Sequence, residues 1–216
     1  MAEVDPSARV HRSAELEDGV EIGARTAIWS GVHVRGPGTR LGADCIIGER
    51  TYIAYGVQIG SLVKINAGAY VCTGVTVRDG VLVGAGVVFT NDRYPRAATP
   101  DLSALLASEP DERTLPTLVE EGASIGAGSV IGCDLVVGRF ALVGMGSVVT
   151  RSVPPFTLVV GQPARPIGIV SRAGAPLLRF SGALPPDRED LVCPSTGLRY
   201  AVRDGRVVEL DPPKGP

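Results

Sequence analysis

The chain has 216 residues, of which 44% are apolar but only 5% aromatic. That length suits one main domain with a core of aliphatic side chains and room for a small appendage. With 21 Lys+Arg against 23 Asp+Glu, the formal net charge is −2, so no bulk charge directs the chain to nucleic acid or to an anionic membrane. Glycine is abundant without a three-residue period, which excludes collagen.

The first stretch, Met1 to Gly19, is polar and charged. It has no apolar run of the kind a signal peptide needs, and no later run approaches the ~18–20 apolar residues of a membrane span. A cytoplasmic location is therefore the expectation. Four cysteines, Cys45, Cys72, Cys133 and Cys193, stand far apart with no Cys-x-x-Cys pair. Reduced, buried thiols are expected, without a disulfide framework or a metal site.

Downstream of Met1 the dominant signal is a period of six. Val10, Leu16, Ile22, Ile28 and Val34 form one run, and Leu41, Ile47, Ile53, Ile59, Ile65, Val71, Val77, Val83 and Phe89 form a second, one residue out of phase. Small or β-branched residues mostly stand two positions before each aliphatic, and Gly or Ala often follows it. A six-residue period fits neither an amphipathic helix nor simple strand alternation. It describes a short strand and a tight corner, repeated, and such internal periods decide the fold.

The ladder breaks after Phe89. The interval Thr90-Asn-Asp-Arg-Tyr-Pro-Arg96 and onward to Pro116 is rich in proline and charge and lacks the period. A long loop inside a regular solenoid is a place to look for function. The repeat resumes at Val119, Ile125, Ile131, Val137, Val143 and Val149. The stretch Val160-Gly-Gln-Pro-Ala-Arg-Pro-Ile167 is expected to cap the solenoid end. Past Ser171 the composition changes, and Asp204-Gly205 between alternating apolar runs predicts a β-hairpin. Cys193-Pro194 with Gly197 is half of a zinc knuckle, but Ser195 and Thr196 replace the second cysteine, so no metal is expected there.

Residues 10–172 resemble the hexapeptide-repeat acyltransferases, and more narrowly the sugar-nucleotide 3-N-acetyltransferases. The resemblance rests on Phe89-Thr-Asn-Asp-Arg-Tyr-Pro-Arg96, Leu115-Pro-Thr117, Ile28-Trp29, Val63-Lys64-Ile65 and Val160-Gly-Gln-Pro-Ala-Arg165. It implies an all-β fold, a left-handed parallel β-helix of about 18 residues per triangular coil, with a domain at 1–172, an external loop at 91–118, and an extension at 173–216 carrying the hairpin. It also implies a homotrimer with active sites between subunits, part of Tyr94 to Pro116 reaching to a neighbour. The implied reaction moves acetyl from acetyl-CoA to the amine of a dTDP- or UDP-linked amino sugar, a 3-amino-3-deoxy sugar above all.

Within that resemblance, Asn91 and Asp92 are the candidate catalytic pair. Asn91 is suited to bind the amine or a neighbouring hydroxyl, and Asp92 to hold the amine or take its proton. The competing reading is a turn cap that bonds its own backbone. His33, Arg93, Tyr94 and Arg96 are candidate acceptor contacts. For CoA the resemblance points to the corners at Ala127, Met145 and Pro163, and to Thr150, Arg151 and Arg165 at the nucleotide end. The chain departs from some dTDP-sugar relatives in having Arg50 and Ala54 where they carry His and Glu, so the resemblance does not carry a His-based mechanism over to that coil. Only His11 and His33 exist, too few for the three imidazoles of a β-helical carbonic anhydrase. An acetyltransferase for another small acceptor, or a non-catalytic assembly protein, remains the alternative.

Overall fold

A computed structural model describes residues 1–182 and 184–212; the last four residues, Lys214 among them, lie outside the described part of the extension. The chain winds as a three-faced parallel β-helix. The first face stacks Glu3–Val4, Glu21–Ile22, Arg40–Leu41, Gln58–Ile59, Val75–Val77, Thr117–Val119 and Leu135–Val137. The second runs from Arg9–Val10 through Leu142–Val143 to Thr157–Gly161, and the third from Glu15–Leu16 through His33–Val34, Tyr52–Ile53 and Tyr70–Val71 to Val148–Val149.

Each coil is short because each hexad supplies only two or three extended residues before a corner. The aliphatic of the hexad points inward, and so does the residue two before it, while the residue between them faces out. Ile47, Ile53, Ile65 and Phe89 are buried, as are Val57, Val63, Val81 and Val87 two before the next aliphatics. Coil-to-coil pairing is in register, with Ile47 beside Ile65, Ile65 beside Val83, and Val83 beside Ile125. Like side chains therefore pile into columns along the axis. Where the inner corner residue is Thr or Ser, its hydroxyl donates to a carbonyl: Thr26 to Gly42 at 2.8 Å, Thr117 to Gly132 at 3.1 Å, and Ser129 to Gly144 at 3.2 Å. Buried hydroxyls are tolerated only with such partners.

The phase slip between Val34 and Leu41 has a simple cause. Glu21 pairs with Arg40, 19 residues on, whereas Arg40 pairs with Gln58, 18 residues on. The corner at Gly36-Pro37 holds the extra residue. The long loop is a larger insertion at the same edge: Val88 pairs with Val130 across it. Its base is stapled by a bridge between Asp92 and Thr114 and by the Leu115 N–H donating to the Asn91 carbonyl at 2.8 Å. The repeat resumes at Thr117, which fills an inward corner position.

The expected cap is a hairpin. Thr157–Gly161 turns back antiparallel through Ala164–Val170, which pairs with Pro176–Arg179 and extends the second face. Beyond it, Arg188–Val192, Arg199–Arg203 and Arg206–Glu209 form a separate antiparallel sheet, with Asp204 and Gly205 at positive φ in the turn. Tyr200 of this sheet packs on Phe156, which stacks on Phe140 of the solenoid. The four cysteines are free thiols, three of them buried; Cys133 is half-exposed because its corner points outward. No helix of the described residues is long and apolar enough to cross a membrane.

Candidate functional site

The corner between the third and first faces carries the loop, and under it lies a groove of about 630 Å³. Arg35, Tyr55, Thr73 and Asn91 come to it from successive coils, and Ser108, Glu109 and Thr114 of the loop form its roof. The coil positions follow from the register: Arg35 precedes the extra-residue corner, Tyr55 and Thr73 follow the aliphatics Ile53 and Val71, and Asn91 follows Phe89. The Asn91 side-chain amide donates to the Thr73 carbonyl at 3.3 Å, and the Tyr55 hydroxyl to the Ser108 carbonyl at 3.5 Å.

One wall is aromatic. His33, Tyr52 and Tyr70 occupy the same outward position on three coils of the third face. The rings of Tyr52 and Tyr70 lie 5.2 Å apart and nearly parallel, and His33 meets Tyr52 edge-on at 5.5 Å. At the far end Arg35 lies 5.3 Å from the Tyr55 ring centroid, a cation–π contact. Its Nε donates to Glu17 Oε1 at 3.0 Å, which His33 Nε2 also meets at 3.1 Å, and the Gly36 N–H donates to Glu17 Oε2 at 3.1 Å. Desolvation works against the charge on Glu17, but the Gly36 N–H, His33 and Arg35 outweigh it and hold the carboxyl below its ordinary value. Arg35 is pushed up by the Tyr52 phenol and by Glu17. Its cationic state is secure, with Nε on Glu17 and the Tyr52 phenol beside the guanidinium.

Of the acceptor residues read from the sequence, Asn91 lines the groove and the others do not. Asp92 stands beside it, with Oδ1 accepting the Tyr94 N–H at 2.9 Å; this is the turn cap that competed with a chemical role. Arg93 reaches to the next coil and pairs with Asp134 at 2.7 Å. Tyr94 and Arg96 are exposed and outside the groove lining. His33 sits below the groove, tied to Glu17. The residues sequence reasoning missed are Arg35, Tyr52, Tyr55 and Tyr70. A signal existed: His33, Tyr52 and Tyr70 each precede an aliphatic of the ladder at the 18- or 19-residue coil spacing, so all three had to face outward in one column.

The residues assigned to CoA gather elsewhere. Ala127 and Met145 are stacked, exposed corners between the second and third faces, joined by the Gly146 N–H donating to the Ala127 carbonyl at 2.9 Å. Gln162, next to Pro163, continues the column by donating to the Gly146 carbonyl at 2.7 Å. Arg151 and Arg165 flank a second pocket of about 500 Å³ at the solenoid end, with Gly182 of the extension on its rim. Thr150 is exposed next to it. Ala85, in the same corner column as Ala127, is six residues from Asn91. The strand Val88–Phe89 runs between them, so the two corners lie on opposite edges of the third face, at most ~20 Å apart.

Comparison with known proteins fits this architecture. The family model for the hexapeptide repeat of succinyl-transferase matches residues 38–72, 69–91 and 116–151, leaving out the loop. The bifunctional protein GlmU of Rubrobacter xylanophilus is 30% identical over 187 residues, covering 72% of this chain and 40% of that protein. The dTDP-3-amino-3,6-dideoxy-alpha-D-galactopyranose 3-N-acetyltransferase of Aneurinibacillus thermoaerophilus is 42% identical over 94 residues, covering 44% of this chain and 45% of the relative. The chain thus spans less than half the length of these relatives. Among solved structures, the polySia specific acetyltransferase NeuO superposes with a TM-score of 0.52 at 17% identity, over 85% of this chain and 90% of that one, a likeness of fold.

Proposed function

We propose that this chain, a hexapeptide-repeat β-helix protein, is an acyltransferase that moves acetyl from acetyl-CoA to the amine of a nucleotide-linked amino sugar, a 3-amino-3-deoxy sugar on dTDP or UDP. The observation that carries the reading is Asn91, fixed on Thr73 inside a groove walled by tyrosines with a cation at one end. A polar amide, aromatic faces and a guanidinium are what a diphosphate-linked deoxysugar requires of its site. The 42% identity to a protein named for N-acetylation of such a sugar supports it.

In the reaction the neutral amine nitrogen attacks the thioester carbonyl carbon. A C–N bond forms, the tetrahedral intermediate carries an oxyanion, and the C–S bond then breaks with CoA leaving as thiol after it takes a proton. A neutral amine needs no strong base to attack. Catalysis therefore rests on position and on donors for the oxyanion. Asn91 orients the amine, Asp92 stands beside it to accept the proton the nitrogen sheds, and the corner amides near Ala127 and Met145 face the thioester. Arg151 and Arg165 hold CoA phosphates.

The acceptor corner and the donor corner of one chain lie a full face apart. We assign the missing half of each site to a neighbouring copy, in a homotrimer, with the loop reaching toward that neighbour. Light scattering that returns a monomer would remove this part. The cytoplasm, where acetyl-CoA and nucleotide sugars are made, is the compartment the proposal implies. Product analysis by mass spectrometry tests the chemistry: an alkali-stable acetyl group on the sugar nitrogen is expected, and an alkali-labile ester would shift the reading to a hydroxyl acceptor. A purely architectural protein would show no change in melting temperature with CoA.

A further inference from the structure

The groove has a direction. Among the described residues its one lining cation, Arg35, enters from the coil at one end, and Asn91 from a coil three steps along the axis. At ~4.8 Å per coil these positions are about 14 Å apart, and the Arg35 side chain leans inward over the Tyr55 ring, shortening the gap. At the Asn91 end no cation lines the groove among the described residues: Arg93 is held by Asp134 and Arg113 by Asp111, both outside the lining, and the neighbouring carboxylate of Asp92 favours an amine over a phosphate. Among the described residues Glu109 is the one carboxylate of the lining, and it belongs to the roof beside Ser108. Between the ends stand Tyr55 and Tyr70, the latter 44% exposed although it is a large ring.

From this polarity we infer that the acceptor lies lengthwise along the solenoid axis, its diphosphate on the Arg35 guanidinium and its amino sugar reaching Asn91. The inference rests on the proposed reaction and adds the residue that reads the leaving half of the substrate. Arg35 Nε is committed to Glu17 and the Tyr52 phenol lies beside the guanidinium, which fixes its plane and leaves its remaining N–H groups to phosphate oxygens as charge-assisted donors. The C–H-rich face of a deoxysugar then covers the Tyr55 and Tyr70 rings, whose apolar faces water solvates poorly. The sugar C3 lies two ring bonds beyond the anomeric carbon, and that reach carries the amine toward Asn91.

Equilibrium binding of bare dTDP and UDP, without CoA and without turnover, tests the orientation. Wild type should bind one of them, Arg35→Ala should weaken that binding at least tenfold, and Asn91→Ala should leave it within about twofold. Arg35→Lys, which keeps the charge and loses the planar fork, should fall between. Tyr70→Ala, at an exposed position that the core does not need, should raise KM for the sugar nucleotide while KM for acetyl-CoA stays put. Unchanged dTDP or UDP binding in Arg35→Ala, or equal losses in Arg35→Ala and Asn91→Ala, would overturn the orientation and leave the proposed reaction standing. If wild type binds neither nucleotide, both fall.

Discussion

The side-chain amide of Asn91 donates to the carbonyl of Thr73 at 3.3 Å, one coil down the same corner. That bond uses the amide nitrogen. It leaves the side-chain oxygen, which accepts no hydrogen bond among the described residues, as an acceptor for an N–H of a substrate amine. The neighbouring Asp92 caps the turn through Oδ1, which accepts the Tyr94 N–H.

Coil spacing predicts a sharp difference between two glycines of one corner. A Cβ on Gly126 would sit 2.4 Å from Met145 N and 2.7 Å from its Cα, both backbone atoms. Gly128, at φ +68°, has open space around its Cβ direction. Gly126→Ala must push two coils apart, whereas Gly128→Ala costs only the left-handed backbone, ~1–2 kcal/mol. Urea unfolding should find Gly126→Ala the more damaging of the two.

Docking of the C-terminal sheet should depend on Glu209. Its buried carboxylate meets Arg139 at 2.9 Å and Arg172 at 2.5 Å, and Arg172 also lies 4.4 Å from the centroid of Phe140. Glu209→Gln leaves two guanidiniums without their anion. Breaking a fully buried pair costs about 3–5 kcal/mol; both arginines here are about a third exposed, so a loss of about 1–3 kcal/mol is expected. Denaturant melts of the variant check this, with Arg139 and Arg172 single variants as partners for a cycle.

Acid should weaken the fold in a defined window. Desolvation raises and the Gly36 N–H, His33 and Arg35 lower the Glu17 carboxyl, with a net fall below 4.5. Hydrogen bonds to Arg25, Arg203 and Arg199 lower Asp44, Glu189 and Asp211 in the same sense. Asp101 is held at about 2 by Thr99 and Ser103. Carboxyls with depressed folded values stabilise fully above their unfolded values and lose that contribution as pH falls through the folded ones. The melting temperature should therefore be flat down to about pH 5 and drop toward pH 2, with Asp101 the last of these to protonate. Glu17→Gln should flatten the upper part of that drop.

The period of six was legible because the central inward position of each hexad must be apolar, and nine successive positions from Leu41 to Phe89 obey it. The hairpin at Asp204-Gly205 was legible from turn chemistry. The groove was only half legible. Asn91 stood out by its motif, but Arg35 is separated from it by 56 positions in the chain, and only the coil register brings both to one corner. The predicted roles of Arg93, Tyr94 and Arg96 came from a contiguous motif, and contiguity places residues on one loop without saying which side of it they face. Arg93 faces Asp134 instead of the groove. The buried hydroxyls of Thr26, Thr117 and Ser129, one at each of the three corners, were visible as a pattern of small residues, but their hydrogen bonds depend on the neighbouring coil.

Release of CoA thiol from acetyl-CoA, followed against a panel of dTDP- and UDP-linked amino sugars, tests the central claim most directly. Release should require one amino-sugar nucleotide, and turnover should fall about 10²-fold in Asn91→Ala, the scale of a misplaced reactant. Asp92→Asn should also lose most of its turnover, with both variants melting near wild type. Thiol release at wild-type rates in both variants, or none with any acceptor, would contradict the account.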